Sequence, residues 1–254
     1  MKNYSNRQKQ TIHYREERQG PMIHDKKRLI AVVGVLFMSL ATAFASDVAQ
    51  FVNLGFSPDS RTFMFAQHGI NDEHGTPYAD VYTVDVPRNT FVRNGVVSEE
   101  YDVDISPGQD GSGALFSLLP EVSDVIARYR INHLRQGRLI YLFVNGEEQP
   151  ATIRFRDFDT GDRYTIAMSQ TARGEGAEGS AAFYLDVTVQ FNDGTTVERQ
   201  VGRPDYYRDG VNHYRIKQVI VSPDESSLVT VIERISDTDD GQRIRYMVET
   251  ARLR

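Results

Sequence analysis

Phe183-Tyr184-Leu185-Asp186-Val187-Thr188-Val189-Gln190-Phe191 decides the fold class. Phe183, Leu185, Val187, Val189 and Phe191 alternate with Tyr184, Asp186, Thr188 and Gln190, the period-two pattern of a strand with one buried face. Asn192-Asp193-Gly194 follows as a turn, and Val197, Arg199 and Val201 continue on a return strand. Outward from this hairpin the same grammar recurs, with turn signals about every ten residues. Ile153 and Phe155 alternate with Thr152, Arg154 and Arg156, and Tyr164, Ile166 and Met168 alternate after Gly161-Asp162. Leu139 to Val144 is a continuous apolar run ending at Asn145-Gly146, expected to be a strand covered on both faces. Thr171 to Ala182 is rich in glycine and lacks apolar anchors, so a mobile surface loop is expected.

One segment departs from the β pattern. Between Pro120 and Gln136, Val122, Val125, Ile126 and Tyr129 fall at i, i+3, i+4 and i+7. Pro120 suits a first helical turn, Glu121 its positive end, Arg128, Arg130 and Arg135 its negative end, and Gly137 a stop. The expected fold is mainly β, propeller-like or sandwich-like antiparallel hairpins with one amphipathic helix on the sheet.

The N-terminus carries an address. Lys26-Lys27-Arg28 precedes the apolar stretch Leu29 to Ala45, which ends in Ala43-Phe44-Ala45. Basic, apolar and small-x-small in that order read as a secretory signal peptide over 22–45, cleaved after Ala45. An uncleaved signal anchor is the alternative, and the membrane contact it supplies is the only one expected. Residues 1–21 are polar and mixed in charge, and translation from Met22 would give an ordinary n-region. They are read as a non-translated or disordered extension. The remaining 46–254 is expected to form a single secreted β-rich domain, in the periplasm or the medium.

Composition excludes much of the rest. Cysteine is absent, so no disulfide framework, zinc-thiolate site or thiol nucleophile is available. Residues 1–45 hold eight of the 29 Lys and Arg and three of the 35 Asp and Glu, so cleavage leaves a more acidic domain in which Lys217 is the only lysine. Such a domain is not expected to bind nucleic acid or an anionic membrane through a basic face.

Two stretches repeat one another. Asn53-Leu-Gly-Phe-Ser57-Pro58-Asp59, Thr62 to Ala66 and Asp80 to Asp85 are echoed by Gln218-Val-Ile-Val-Ser222-Pro223-Asp224, Ser227 to Val231 and Ile244 to Glu249. Each reads as strand, tight turn, strand, polar loop, strand. The motif resembles the Ser-Pro-Asp repeat of TolB-type β-propellers, with Ser60 and Glu225 where that turn usually carries glycine. From Phe51 to Arg254 the chain resembles an uncharacterised bacterial family of predicted secreted proteins. The resemblance is carried by Asn53 to Asp59, Pro107 to Gly113, His133 to Gly137, Phe155 to Asp162 and Ile244 to Thr250. It implies secretion and a single domain, and no activity. The C-terminal segment Arg243 to Leu253 is expected to be a strand in the same β-system as the Phe51–Val86 unit.

Chemistry is thinly written. Gly108-Gln-Asp110-Gly111-Ser112-Gly113 offers glycine amides before a helical region, the elements of an anion cradle, but lacks the lysine and spacing of a phosphate loop. A nucleophile elbow needs glycine two residues before its serine, and before Ser112 that position is Asp110. His68, Asp72 and His74 are read as polar loop residues, and the aspartates around Gly161 and Gly241 as turns, because neither completes a calcium loop. Tyr206 and Tyr207, near Pro204, are candidates for an exposed aromatic patch. Gly108, Asp110, Gly111, Ser112, Gly113, Tyr206 and Tyr207 are therefore the binding candidates; no catalytic residue, metal ligand or cofactor is expected. The reading is an exported envelope or secreted binding or scaffold protein, its partner an envelope protein. A periplasmic hydrolase built on acidic residues and a small-ligand carrier are the alternatives.

Overall fold

The computed structural model describes residues 47–106, 108–144, 150–238 and 241–254. The expected N-terminal extension, the expected signal segment with cleavage after Ala45, Pro107 and the expected Asn145-Gly146 turn lie outside the described residues.

Among the described residues, three sheets form the fold. The first is the meander β2 (Gln50–Phe56), β3 (Thr62–Asn71), β4 (Thr76–Asp85) and β5 (Thr90–Glu100). The third is a second meander, in the order β10-β9-β8-β7, built from β7 (Thr152–Arg156), β8 (Arg163–Arg173), β9 (Ser180–Gln190) and β10 (Thr196–Asp209). Between them runs β1-β13-β12-β11-β6: β1 (Asp47–Val48), β6 (Arg138–Leu142), β11 (His213–Val221), β12 (Ser227–Thr238) and β13 (Gly241–Arg252). Pairing is antiparallel except between β1 and β13.

The middle sheet is buried on both faces, which explains its composition. Along β12, Leu228 and Ile232 join a core with Ile166, Phe183 and Leu185, whereas Val229 and Val231 join a core with Phe56, Phe63 and Phe65. A strand with cores on both sides has no water-facing side to mark with polar residues, so its alternation fades. A third core lies on the far side of the first sheet, where Met64, Ala66, Ala79 and Val81 meet Leu115, Leu118, Val122 and Val125.

Those last four residues lie on the helical segment, which differs from expectation. It starts at Ser112 as α1 (Ser112–Leu118), tightens into a 3-10 turn over Leu119–Val122 at Pro120, and continues as α2 (Ser123–Tyr129). Arg130, at φ 55, ends it in the left-handed conformation seven residues before Gly137. The period places the apolar stripe correctly and the ends wrongly, because Pro120 sits in a 3-10 link inside the helical segment and not at its start.

Two further expectations are corrected. Leu139 to Val144 is not covered on both faces: β6 is an edge strand, and Leu139, Leu142 and Val144 are 50%, 52% and 64% exposed. Thr171 to Ala182 is half ladder: Thr171 to Arg173 pair with Ser180 to Ala182, and the loop is confined to Gly174 to Gly179, which connects them through a 3-10 turn.

The C-terminal segment is a strand, as its apolar pattern predicts, paired along its length with β12 and at Arg243 and Ile244 with β1. Tyr246 enters the core of Phe56, Phe63 and Phe65, and its N–H donates to Gln67 Oε1 at 2.7 Å. The two Ser-Pro-Asp units thus lie in facing sheets. Their turns are built alike. The Ser57 hydroxyl donates to Asp59 Oδ1 at 2.6 Å and accepts from the Thr62 N–H at 3.0 Å; Ser222, Asp224 and Ser227 repeat both bonds at the same distances. Ser60 and Glu225, at the usual glycine position, both have positive φ, 55° and 58°.

Candidate functional site

The glycine-rich candidates come together. Gly108, Asp110, Gly111, Ser112 and Gly113 line a cleft of about 660 Å³ with Tyr101, Asp104 and Ser117, where the chain leaves β5 and enters α1. Gly111 sits at φ 73, and a Cβ there would lie 2.4 Å from the Gly69 carbonyl oxygen, so only glycine lets this loop rest on β3. The Ser112 N–H donates to Asp110 Oδ1 at 3.0 Å. That bond, with one from the Ser112 hydroxyl, holds the Asp110 carboxyl below its ordinary range.

This geometry changes the anion-cradle reading. The amide that would greet an anion already has one in the Asp110 side chain, Asp104 adds a second carboxylate, and no Lys or Arg lines the cleft. What the cleft offers is hydroxyls, carboxylates and main-chain groups.

The histidines are scattered. His68 is not a loop residue: it lies within β3, is buried, and has its pKa lowered by that burial against the opposing pull of Asp110. His74 faces Glu100. His133 lies past the helix, with Nδ1 2.7 Å from the Leu54 carbonyl oxygen. Among the described residues no group of three His, Cys, Asp or Glu is placed to share a metal ion. Asp157 and Asp162 close a turn through the Asp157 N–H to Asp162 O bond, and Arg138 Nη1 lies 2.5 Å from Asp157 Oδ1.

The tyrosines separate. Tyr206, 52% exposed, lines a second cleft of about 530 Å³ bounded by the β4–β5 turn, β10 and β13. Tyr207 instead lies beneath Arg173, whose guanidinium carbon is 3.5 Å from the ring centroid. Adjacent in sequence, the two rings meet different neighbours.

Sequence reasoning missed three residues of the second cleft: Arg203, Arg208 and Glu249. Glu249 had a readable signal, a carboxylate inside the otherwise apolar run of the terminal strand. The arginines had none, since β10 carries charges along its length.

A third feature is the free edge of β6. No strand pairs with its outer side among the described residues, and Leu139 and Leu142 are exposed on it.

A family model described as "Predicted secreted protein (DUF2259)" matches residues 64–252, from within β3 to the end of β13. No curated protein matches the chain.

Proposed function

The chain belongs to that family of predicted secreted proteins, and from this premise we propose that it works outside the cytoplasm as a binding or scaffold protein for a protein of the cell envelope, without catalysis of its own. The observation that carries the reading is the β6 edge. A sheet edge presents unpaired N–H and C=O groups, and soluble proteins usually blunt it with charge, proline or a covering element. Here Leu139, Leu142 and the following Val144 are exposed instead. Such an edge suits strand addition, in which main-chain bonds supply affinity and alternate apolar side chains supply specificity. No helix among the described residues is long and apolar enough to cross a membrane. Release after Ala45 is part of the same proposal, and N-terminal sequencing of the exported protein tests it.

The edge is tested by passing envelope extract over the immobilised protein and over its Leu139→Lys/Leu142→Lys variant. An envelope protein retained by the wild type and lost from the variant, at an unchanged unfolding midpoint, is the expected result. Equal retention by both, or a wild type that self-associates through this edge in sedimentation, overturns the reading.

A further inference from the structure

The second cleft concentrates positive charge on an acidic chain. Its β10 wall is a large bulge: Arg203 pairs with Phe183 and Arg208 with Ala181, leaving Pro204, Asp205, Tyr206 and Tyr207 opposite Ala182 alone. β10 is the edge of its sheet, where a proline without an N–H and a run outside the ladder are tolerated. Bulges re-aim side chains, and this one turns Tyr206 into the cleft between two arginines. The Arg208 and Arg203 guanidinium carbons lie 5.0 and 5.8 Å from the Tyr206 ring centroid. Arg208 is held further by Phe183, at 5.6 Å, and by the Tyr214 hydroxyl, 3.4 Å from Nη1.

Glu249 closes the cleft from β13. It is 6% exposed and bonded to the Asn89 side-chain amide. Burial raises its pKa, although Asn89, Arg208, Arg203 and the Gly202 amide pull the other way. The guanidiniums are thus close enough to be felt by the carboxylate, yet among the described residues neither Arg203 nor Arg208 forms an ion pair. Two cations without anionic partners therefore face one carboxylate, and a second anion is the missing member.

We infer that this cleft binds an acidic sugar, a pyranose bearing a carboxylate. The ligand carboxylate lies against Arg203 and Arg208, whose planar forks match it. The apolar face of the sugar ring covers Tyr206. Ring hydroxyls donate to Glu249, which accepts but does not donate when ionised. The volume falls within the range of small-ligand sites. Glu249 separates this class from aromatic acids: benzoate satisfies the arginines and the ring and offers no donor to the buried carboxylate. Inorganic phosphate satisfies the arginines alone. The inference does not depend on the β6 edge.

The test is calorimetric titration of the purified protein at low salt with glucuronate, glucose, benzoate and inorganic phosphate. Glucuronate should bind at least about tenfold more tightly than each of the others, and Arg203→Gln, Arg208→Gln and Tyr206→Ala should each weaken it by about tenfold or more. Unfolding midpoints accompany the titrations. If Arg208→Gln disturbs the fold through its packing on Phe183, the exposed Arg203 decides alone. No glucuronate binding at millimolar concentration, glucuronate bound equally well by Arg203→Gln, or benzoate or phosphate binding as tightly as glucuronate overturns the assignment.

Discussion

Replacing Ser57 by alanine tests the turn that the chain uses twice. The Ser57 hydroxyl is buried and makes two bonds, donating to Asp59 Oδ1 at 2.6 Å and accepting from the Thr62 N–H at 3.0 Å. Alanine leaves that N–H without an acceptor in a buried site, at about 1–3 kcal/mol. Asp59 is exposed, so its lost bond adds little in water. A total near 2 kcal/mol corresponds to a midpoint lowered by about 4–8 °C in a domain of this size. Ser222→Ala removes the same pair of bonds, to Asp224 and the Ser227 N–H, and is expected to cost the same within about 0.5 kcal/mol. The Ser57 hydroxyl is the main cause holding the Asp59 carboxyl below its ordinary range. A depressed carboxylate stabilises the fold above the unfolded value, near pH ~4, and that part is lost as pH falls through the folded pKa. The deficit of Ser57→Ala should therefore shrink in acid without vanishing, because the Thr62 N–H remains unpaired. Thermal unfolding of both variants at pH 7 and pH 3 measures it. A midpoint within about 1 °C of wild type at pH 7 for either variant would refute the turn energetics, and costs differing more than twofold would refute the equivalence of the copies.

Ser60→Gly and Glu225→Gly should each raise stability by about 1 kcal/mol in the same assay, because both residues hold positive φ; Glu225 also loses an exposed contact with Arg138, worth little in water. Glu249→Gln should gain on wild type as pH rises. The raised folded pKa means that wild-type stability declines from the unfolded value, near pH ~4.3, upward through the folded one, and the amide removes that decline; a pH-independent difference between the two would count against it. Deleting residues from Arg243 onward removes Ile244, Tyr246 and Leu253, each worth about 1.5–3 kcal/mol when fully buried, and bares β12. Against a typical total of about 5–15 kcal/mol, the truncated chain should lose its cooperative unfolding transition in calorimetry.

What could be read from the chain alone was whatever is encoded within about ten residues. Alternation at Phe183 to Phe191, the i, i+3, i+4, i+7 stripe of Val122 to Tyr129 and the twin Ser-Pro-Asp turns are local patterns, and each appears as the element its period implied. The family resemblance was legible for the same reason, in short runs of turn and strand residues. Burial was legible where a strand has one wet face and illegible where it has none or two. Leu139 to Val144 read as doubly covered because apolar content does not say what lies beyond a strand, and only the sheet order makes β6 an edge with Leu139 and Leu142 in water. The sites divide in the same way. Gly108 to Gly113 are neighbours in sequence and in one cleft, so composition found them. The second cleft gathers Asn89, Arg203, Tyr206, Arg208 and Glu249 from three sheets, residues up to 160 positions apart. Charge and ring types are visible in a sequence; their convergence depends on which strands face one another, and that is decided only when the three sheets pack.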